Sequence, residues 1–156
     1  MAEKLIPLED AQSIVLSHVA PTNLVEIPVW QAAGFPLAED AVADIDISPF
    51  ANSAMDGYAV RSADLAQASG ETPVTLDVIG HEAAGHVFEG ALGPGETVRI
   101  MTGAPVPEGA DAVVKYEIVE VLVGDGNEGS HVRFSAPAKV GENVRSAAEE
   151  AHAGDV

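Results

Sequence analysis

The chain has 156 residues, 47% of them hydrophobic, which excludes a charged disordered polymer and leaves room for one ordinary domain or two small ones. Seven Lys and Arg stand against 25 Asp and Glu, a net charge of −18, so the chain lacks the basic face that grips nucleic-acid phosphates or an anionic membrane surface. Cysteine is absent, which removes disulfides, thiolate metal sites and a cysteine nucleophile together.

No apolar run approaches the roughly 18 residues that cross a bilayer. The opening MAEKLIPLED has no signal-peptide core, so a cytosolic location is expected. Residues 7–19 predict a helix: Leu8, Ala11, Val15 and Val19 recur at helical spacing, Ile14 widens the stripe, Pro7 suits the first turn, and Glu9 and Asp10 sit at its positive end. Pro21 breaks the chain, and Trp30–Ala33 predict one more helical turn, stopped by Gly34 and Pro36.

The period then changes to two. Ala43-Asp44-Ile45-Asp46-Ile47 alternates apolar and acidic residues and predicts a strand with one wet face. Val74, Leu76 and Val78 predict a second, and Val98 and Ile100 a third, with Arg99 on its wet side. Residues 112–123 read as the longest strand, but Val114, Tyr116 and Ile118 take one parity and Val119, Val121 and Val123 the other, so a bulge or bend is expected near Ile118. Residues 131–136 should pair back on it across the Gly-rich loop 124–130. The expected fold class is therefore mostly β with a short N-terminal helical part (α+β), around an aliphatic core, because only seven residues are aromatic. The polar tail 139–156 has neither cap nor hydrophobic anchor, which predicts a piece of a longer chain.

Three motifs fail on chemistry. Gly124-Asp125-Gly126-Asn127-Glu128-Gly129 has the letters of a dinucleotide loop, but it leads into a strand, and its two acids would repel phosphate. Asp125 and Asn127 begin a calcium-loop pattern that the following residues do not complete. In His81-Glu82-Ala83-Ala84-Gly85-His86 the histidines are five apart rather than four, so they read as surface residues of a Gly-rich turn, not a zinc pair.

Two stretches are dense in special residues. In 49–60, Asn52, Ser53 and Asp56 place short polar groups just before Gly57 and a new strand. A carboxylate beside such a turn can hold a hydrated divalent cation or orient a water, and it can equally just satisfy turn amides. In 99–114, a strand delivers Thr102 to a loop stiffened by Pro105 and Pro107 and pivoting on Gly103 and Gly109. Such a loop can offer a hydroxyl and free backbone amides to an oxyanion, or serve as a rigid connection.

These stretches, NSAMDGYAV (52–60) and RIMTGAPVPEGADAVV (99–114), resemble the signature blocks of the MoeA/gephyrin family, the molybdopterin molybdotransferases, almost letter for letter and in the expected order. Weaker similarity extends through LAEDAVADIDISPF (37–50), AAG (83–85), PGETV (94–98) and GENVR (141–145). The tail departs from the family's R-x-x-G-E-D: Ala148-Glu149-Glu150 follow Arg145, with alanine where a glycine turn is expected.

The resemblance implies the irregular, bifurcated and coiled sheets of the MoeA N-terminal region. It implies an elongated first domain from residues 1–47 and 138–156, with a small β-rich second domain, 48–137, inserted into it; the family's substrate-binding third domain and C-terminal fourth domain have no counterpart in these residues. It further implies a cytosolic homodimer that takes adenylylated molybdopterin and molybdate, releases AMP in a Mg²⁺-dependent step, and needs the missing domains for activity. Carried over by position, Asp56 is the candidate for Mg²⁺ or water, and Thr102 for hydrogen-bonding an oxyanion at a scale of ~3–4 kcal/mol of transition-state stabilisation. Ser53 and Asn52 are candidate cofactor-site supports. Rival readings are a gephyrin-like scaffold that holds a partner peptide, and a stand-alone dimerisation module.

Overall fold

The structure, a computed structural model, describes residues 5–83 and 85–156. The chain divides into two compact units, Met1–Ala41 and Val42–Val156. Among the described residues, no helix is long and apolar enough to cross a membrane.

The first unit contains the predicted helix, α1 (Leu8–Ser17), and a single 3₁₀ turn, Val29–Gln31, where one helical turn was expected. Pro7 stands at the N-cap, and Glu9 and Asp10 occupy the first turn, where the helix dipole favours acids. The apolar stripe is in place but uncovered: Leu8, Val15 and Val19 are all more than half exposed.

The second unit is built on a six-stranded mixed sheet. Its strands are β2 (Gly57–Val60), β3 (Val74–Glu82), β4 (Glu96–Ile100), β5 (Ala112–Lys115), β6 (Glu120–Val123) and β7 (His131–Phe134), in the order β5-β2-β4-β3-β7-β6. Only β3 and β4 run parallel. A separate two-stranded pair joins β1 (Asn52–Ser53) to β8 (Val144–Arg145). The mostly β fold with one short helix is the expected class.

Period-two geometry sorts the core into two layers. Tyr58 and Val60 of β2 join Ala112 and Val114 of β5, Leu76, Val78, Val132 and Phe134 on one face. Ala59 and Val113, the residues between them, join Ile100 and Ala104 on the other. Each fully buried Leu, Val or Phe contributes about 1.5–3 kcal/mol.

Several expectations are corrected. Residues 43–47 form no strand: Ile47 makes an isolated bridge to Ala151, Ala43 exchanges backbone bonds with Gly154 and Asp155, and Asp46 accepts the amide of Ala153. The alternation there serves to fasten the polar tail, which is consequently ordered. The long strand 112–123 does more than bend; it splits into β5 and β6 around a 3₁₀ turn at Tyr116–Ile118, the point where its parity flips. The Gly-rich loop is the hairpin between β6 and β7, as expected.

That hairpin accounts for the dinucleotide-like letters. Tyr58, wholly buried, donates its hydroxyl to the carbonyl of Gly126 at 2.9 Å. A Cβ on Gly126 would lie 2.7 Å from that hydroxyl, and its φ of +87° also favours glycine. Asp125 is occupied by Asn127, which donates through both its backbone and side-chain nitrogens at 3.0 Å. Tyr58→Phe should leave the buried Gly126 carbonyl unsatisfied and cost about 1–2 kcal/mol, read as a lower urea midpoint with an unchanged slope.

Candidate functional site

The two dense stretches lie side by side. Val106 donates to the carbonyl of Ala51, Ser53 to that of Ala104, and Gly103 to that of Ser53, at 3.0, 3.0 and 2.8 Å. Beyond them, Gly57 of β2 pairs with Ile100 of β4. This lacing sets the turn ending in Asp56 against the loop beginning at Thr102. Oδ1 of Asp56 accepts both the backbone N–H of Thr102, at 2.8 Å, and its hydroxyl, at 2.7 Å. Both residues are solvent-exposed, and the other carboxylate oxygen has no protein partner among the described residues.

Asn52 and Ser53 point inward. Ser53 is wholly buried; its hydroxyl donates to the Met55 carbonyl and accepts the Met55 amide, which braces the turn one residue before Asp56. Asn52 is 7% exposed and pairs through its backbone with Arg145. The structure thus brings Asp56 and Thr102 into contact and sets Asn52 and Ser53 beneath them.

In the first part of the loop the expected free donors are already occupied. The amides of Met101, Thr102, Gly103, Ala104 and Val106 are bonded to Glu82, Asp56, Ser53, Met101 and Ala51 respectively, and residue 105 is proline. The hydroxyl of Thr102 is also taken. Both donors of Thr102 are turned onto Asp56, and the exposed group left beside the start of the loop is a carboxylate oxygen.

The carboxyl of Asp56 is held below the ordinary carboxylate range, chiefly by the backbone N–H of Thr102, next by its hydroxyl, and in smaller part by the charge of Arg99. A depressed folded-state value means that the contribution of these bonds is complete above the unfolded value and is lost as pH falls through the folded one. Thr102→Val removes the hydroxyl donor, so the Asp56 carboxyl should titrate at higher pH, nearer its ordinary range. Carbon-13 NMR of the side-chain carboxyl checks this, and an unmoved midpoint would deny the hydroxyl its part.

Two further groups escaped sequence reasoning. Arg99 is no wet-face residue: its guanidinium lies 4.1 Å from the ring centroid of Tyr116 and 5.3 Å from that of Tyr58. Glu82 is 1% exposed, and one of its carboxylate oxygens is buried without a hydrogen-bond partner. It occupies an inward position of β3, in register with Ile100. The strand's continuing alternation past Val78 was the signal that could have found it. His81 and His86 lie with their rings 6.4 Å apart, Ala84 between them being outside the described residues. Among the described residues, no three metal-ligating side chains gather.

The fold and paired blocks define a class, and comparison identifies it. The MoeA N-terminal region (domain I and II) family matches residues 6–156, and the chain belongs to that family. It is 39% identical to the molybdopterin molybdenumtransferase of Haemophilus influenzae over 153 residues, which is 97% of this chain and 35% of the relative. It is 45% identical to that of Bacillus subtilis over 120 residues, 77% of this chain and 27% of the relative. A crystal structure of the molybdopterin biosynthesis moeA protein from Pyrococcus horikoshii OT3 superposes with a TM-score of 0.82 at 33% identity, over 98% of this chain and 39% of that one. The chain therefore spans about a third of the length of such relatives.

The departure at Ala148 is absorbed locally. Ala148 takes a left-handed conformation, φ +56°, and its amide donates to Ser48 at 2.8 Å, so the turn is made without glycine. The conformation costs about 1–2 kcal/mol for a residue with a Cβ. Its methyl is buried, 8% exposed, and burial of one such carbon offsets about 0.8 kcal/mol.

Proposed function

We propose that this chain forms one wall of the active site of a cytosolic molybdopterin molybdotransferase, which inserts molybdate into adenylylated molybdopterin with release of AMP. The observation that carries the reading is the exposed Asp56 carboxylate, held by both donors of Thr102 where the two signature blocks meet. The names of the relatives support the transferase class.

Molybdate, pterin phosphate and adenylate are anions, and a piece carrying −18 would repel them unaided. Its chemistry is that of an acceptor. The unpartnered oxygen of Asp56 suits Mg²⁺, which keeps most of its waters and binds through one or two carboxylates together with substrate phosphates. Bound there, Mg²⁺ would supply neutralising charge to a phosphate oxygen. Thr102 keeps the carboxylate ionised and aimed, and Ser53 and Asn52 hold the turn that carries it. Basic groups for the anions belong to polypeptide outside these residues.

The same reading keeps residues 1–47 with 138–156 as a first domain around a second, 48–137; the bonds between 43–48 and 148–155 support the joining of those two segments, and residues 1–41 are grouped with them on the resemblance alone. The uncovered stripe of α1 supports assembly as a homodimer. The test is molybdate-dependent release of AMP from adenylylated molybdopterin. A polypeptide extended to the length of the relatives should release it and residues 1–156 alone should not; an inactive extended protein would overturn the assignment.

A further inference from the structure

The Asp56–Thr102 contact joins residues that are 46 positions apart, on two exposed loops. Exposed side-chain bonds of this kind persist only where the backbones that carry them are fixed. One residue touches the carriers of both. Arg99 lies on β4, three residues before Thr102. Its guanidinium covers Tyr58, two residues after Asp56, and Tyr116, whose backbone N–H donates to the Asp56 carbonyl at 3.1 Å. The Tyr58 hydroxyl also accepts an Arg99 N–H at 3.4 Å and donates to the Gly126 carbonyl.

We propose that Arg99 is a positioning residue for the Asp56–Thr102 pair: clamped on the rings of Tyr58 and Tyr116, it locks the strand that delivers Thr102 to the turn that delivers Asp56. The inference rests on reading that pair as the working part of the site.

Two features separate this from an ordinary surface arginine. Arg99 has no carboxylate within 4.0 Å among the described residues, whereas Arg61 and Arg133 do, so no salt bridge explains its placement. Its Nε is buried with no acceptor, and the hydrogen bond from its NH1 to the Tyr58 hydroxyl is long at 3.4 Å, so stacking carries most of the hold on the group. A flat guanidinium is the cation suited to lie against two rings; lysine keeps the charge but not the plane. Being unneutralised, the charge also acts on Asp56, in the direction that favours its ionised form.

The test uses the 156-residue chain and needs no substrate. In Arg99→Lys, amide exchange at Thr102 should quicken by up to roughly tenfold, the worth of one hydrogen bond, while the amides of Ala59 and Val113 in the core keep their wild-type rates. In Arg99→Met the same should happen, and the Asp56 carboxyl should also titrate at higher pH than in Arg99→Lys, because the charge has gone as well. Unchanged Thr102 exchange, or an equal acceleration throughout the core, would overturn the proposal. Should either variant fail to fold, Tyr116→Leu decides. Tyr116 is 41% exposed on a turn, its removal takes away one plate of the clamp, and the same local acceleration is required. An inactive extended polypeptide would end the transferase reading while leaving these exchange rates as they are, so the two failures are distinguishable.

Discussion

Asp56→Asn in a polypeptide of the relatives' length should lower turnover about 10²–10³-fold, the usual loss when a positioned electrostatic group is removed from a reacting centre. Asparagine keeps the shape and can still accept the Thr102 bonds, so the fold should hold, while the thermal midpoint at neutral pH falls slightly because the charge-assisted part of those bonds is lost. What it removes is the negative charge offered by the exposed oxygen. Thr102→Ala should cost about 10²-fold, as for a group misplaced by an ångström, because its two roles converge on Asp56 and the backbone N–H survives.

The pair of variants makes a sharper statement. Since both donors of Thr102 end on Asp56, the double variant should be little worse than Asp56→Asn alone. Additive losses would mean that Thr102 acts on substrate independently, and would restore the oxyanion role that the bonded loop argues against. Wild-type rates in both single variants would remove the pair from the chemistry altogether.

The largest loss of stability is expected at Gly57. This residue follows Asp56 and opens β2, the strand between β4 and β5. A Cβ there would lie 2.1 Å from the carbonyl oxygen of Val114 and 2.9 Å from its carbon. Neither atom can yield, because both belong to a backbone paired in register on β2 through Tyr58 and Val114. Gly57→Ala should therefore cost about 3 kcal/mol or more, visible as a collapse of the urea midpoint or as failure to fold. Gly70→Ala is the control. No atom lies within 4 Å of a Cβ there, so the change should be neutral or stabilise by about 0.4–1 kcal/mol. A stable Gly57→Ala variant would show that β5 is not held as tightly as its register indicates.

The sequence by itself determined a good deal. Alternation located β3, β4 and the stretch that holds β5 and β6, the parity flip near Ile118 marked where that stretch becomes irregular, the Gly-rich loop pointed to β7, and the two blocks named the family, because each of these signals is written in neighbouring residues. Chemistry alone also dismissed the dinucleotide and zinc look-alikes, since wrong spacing or following structure is visible in the letters. The same alternation misled at 43–47, where apolar and acidic residues take turns in a segment that bonds to the tail at 148–155 instead of to a sheet.

Only the tertiary structure decided what the site contains. That the amides of 101–106 are already bonded, that Thr102 serves Asp56, that Arg99 lies on two tyrosines and that Glu82 is sealed within the protein all follow from which strands are neighbours and in what register. Apart from the local Ala104–Met101 turn, those contacts join residues from 17 to 55 positions apart. Periodicity tells each residue which face it is on, but a hydrogen bond needs its partner placed to within a few tenths of an ångström. That placement is a property of the assembled sheet and of no single stretch of sequence.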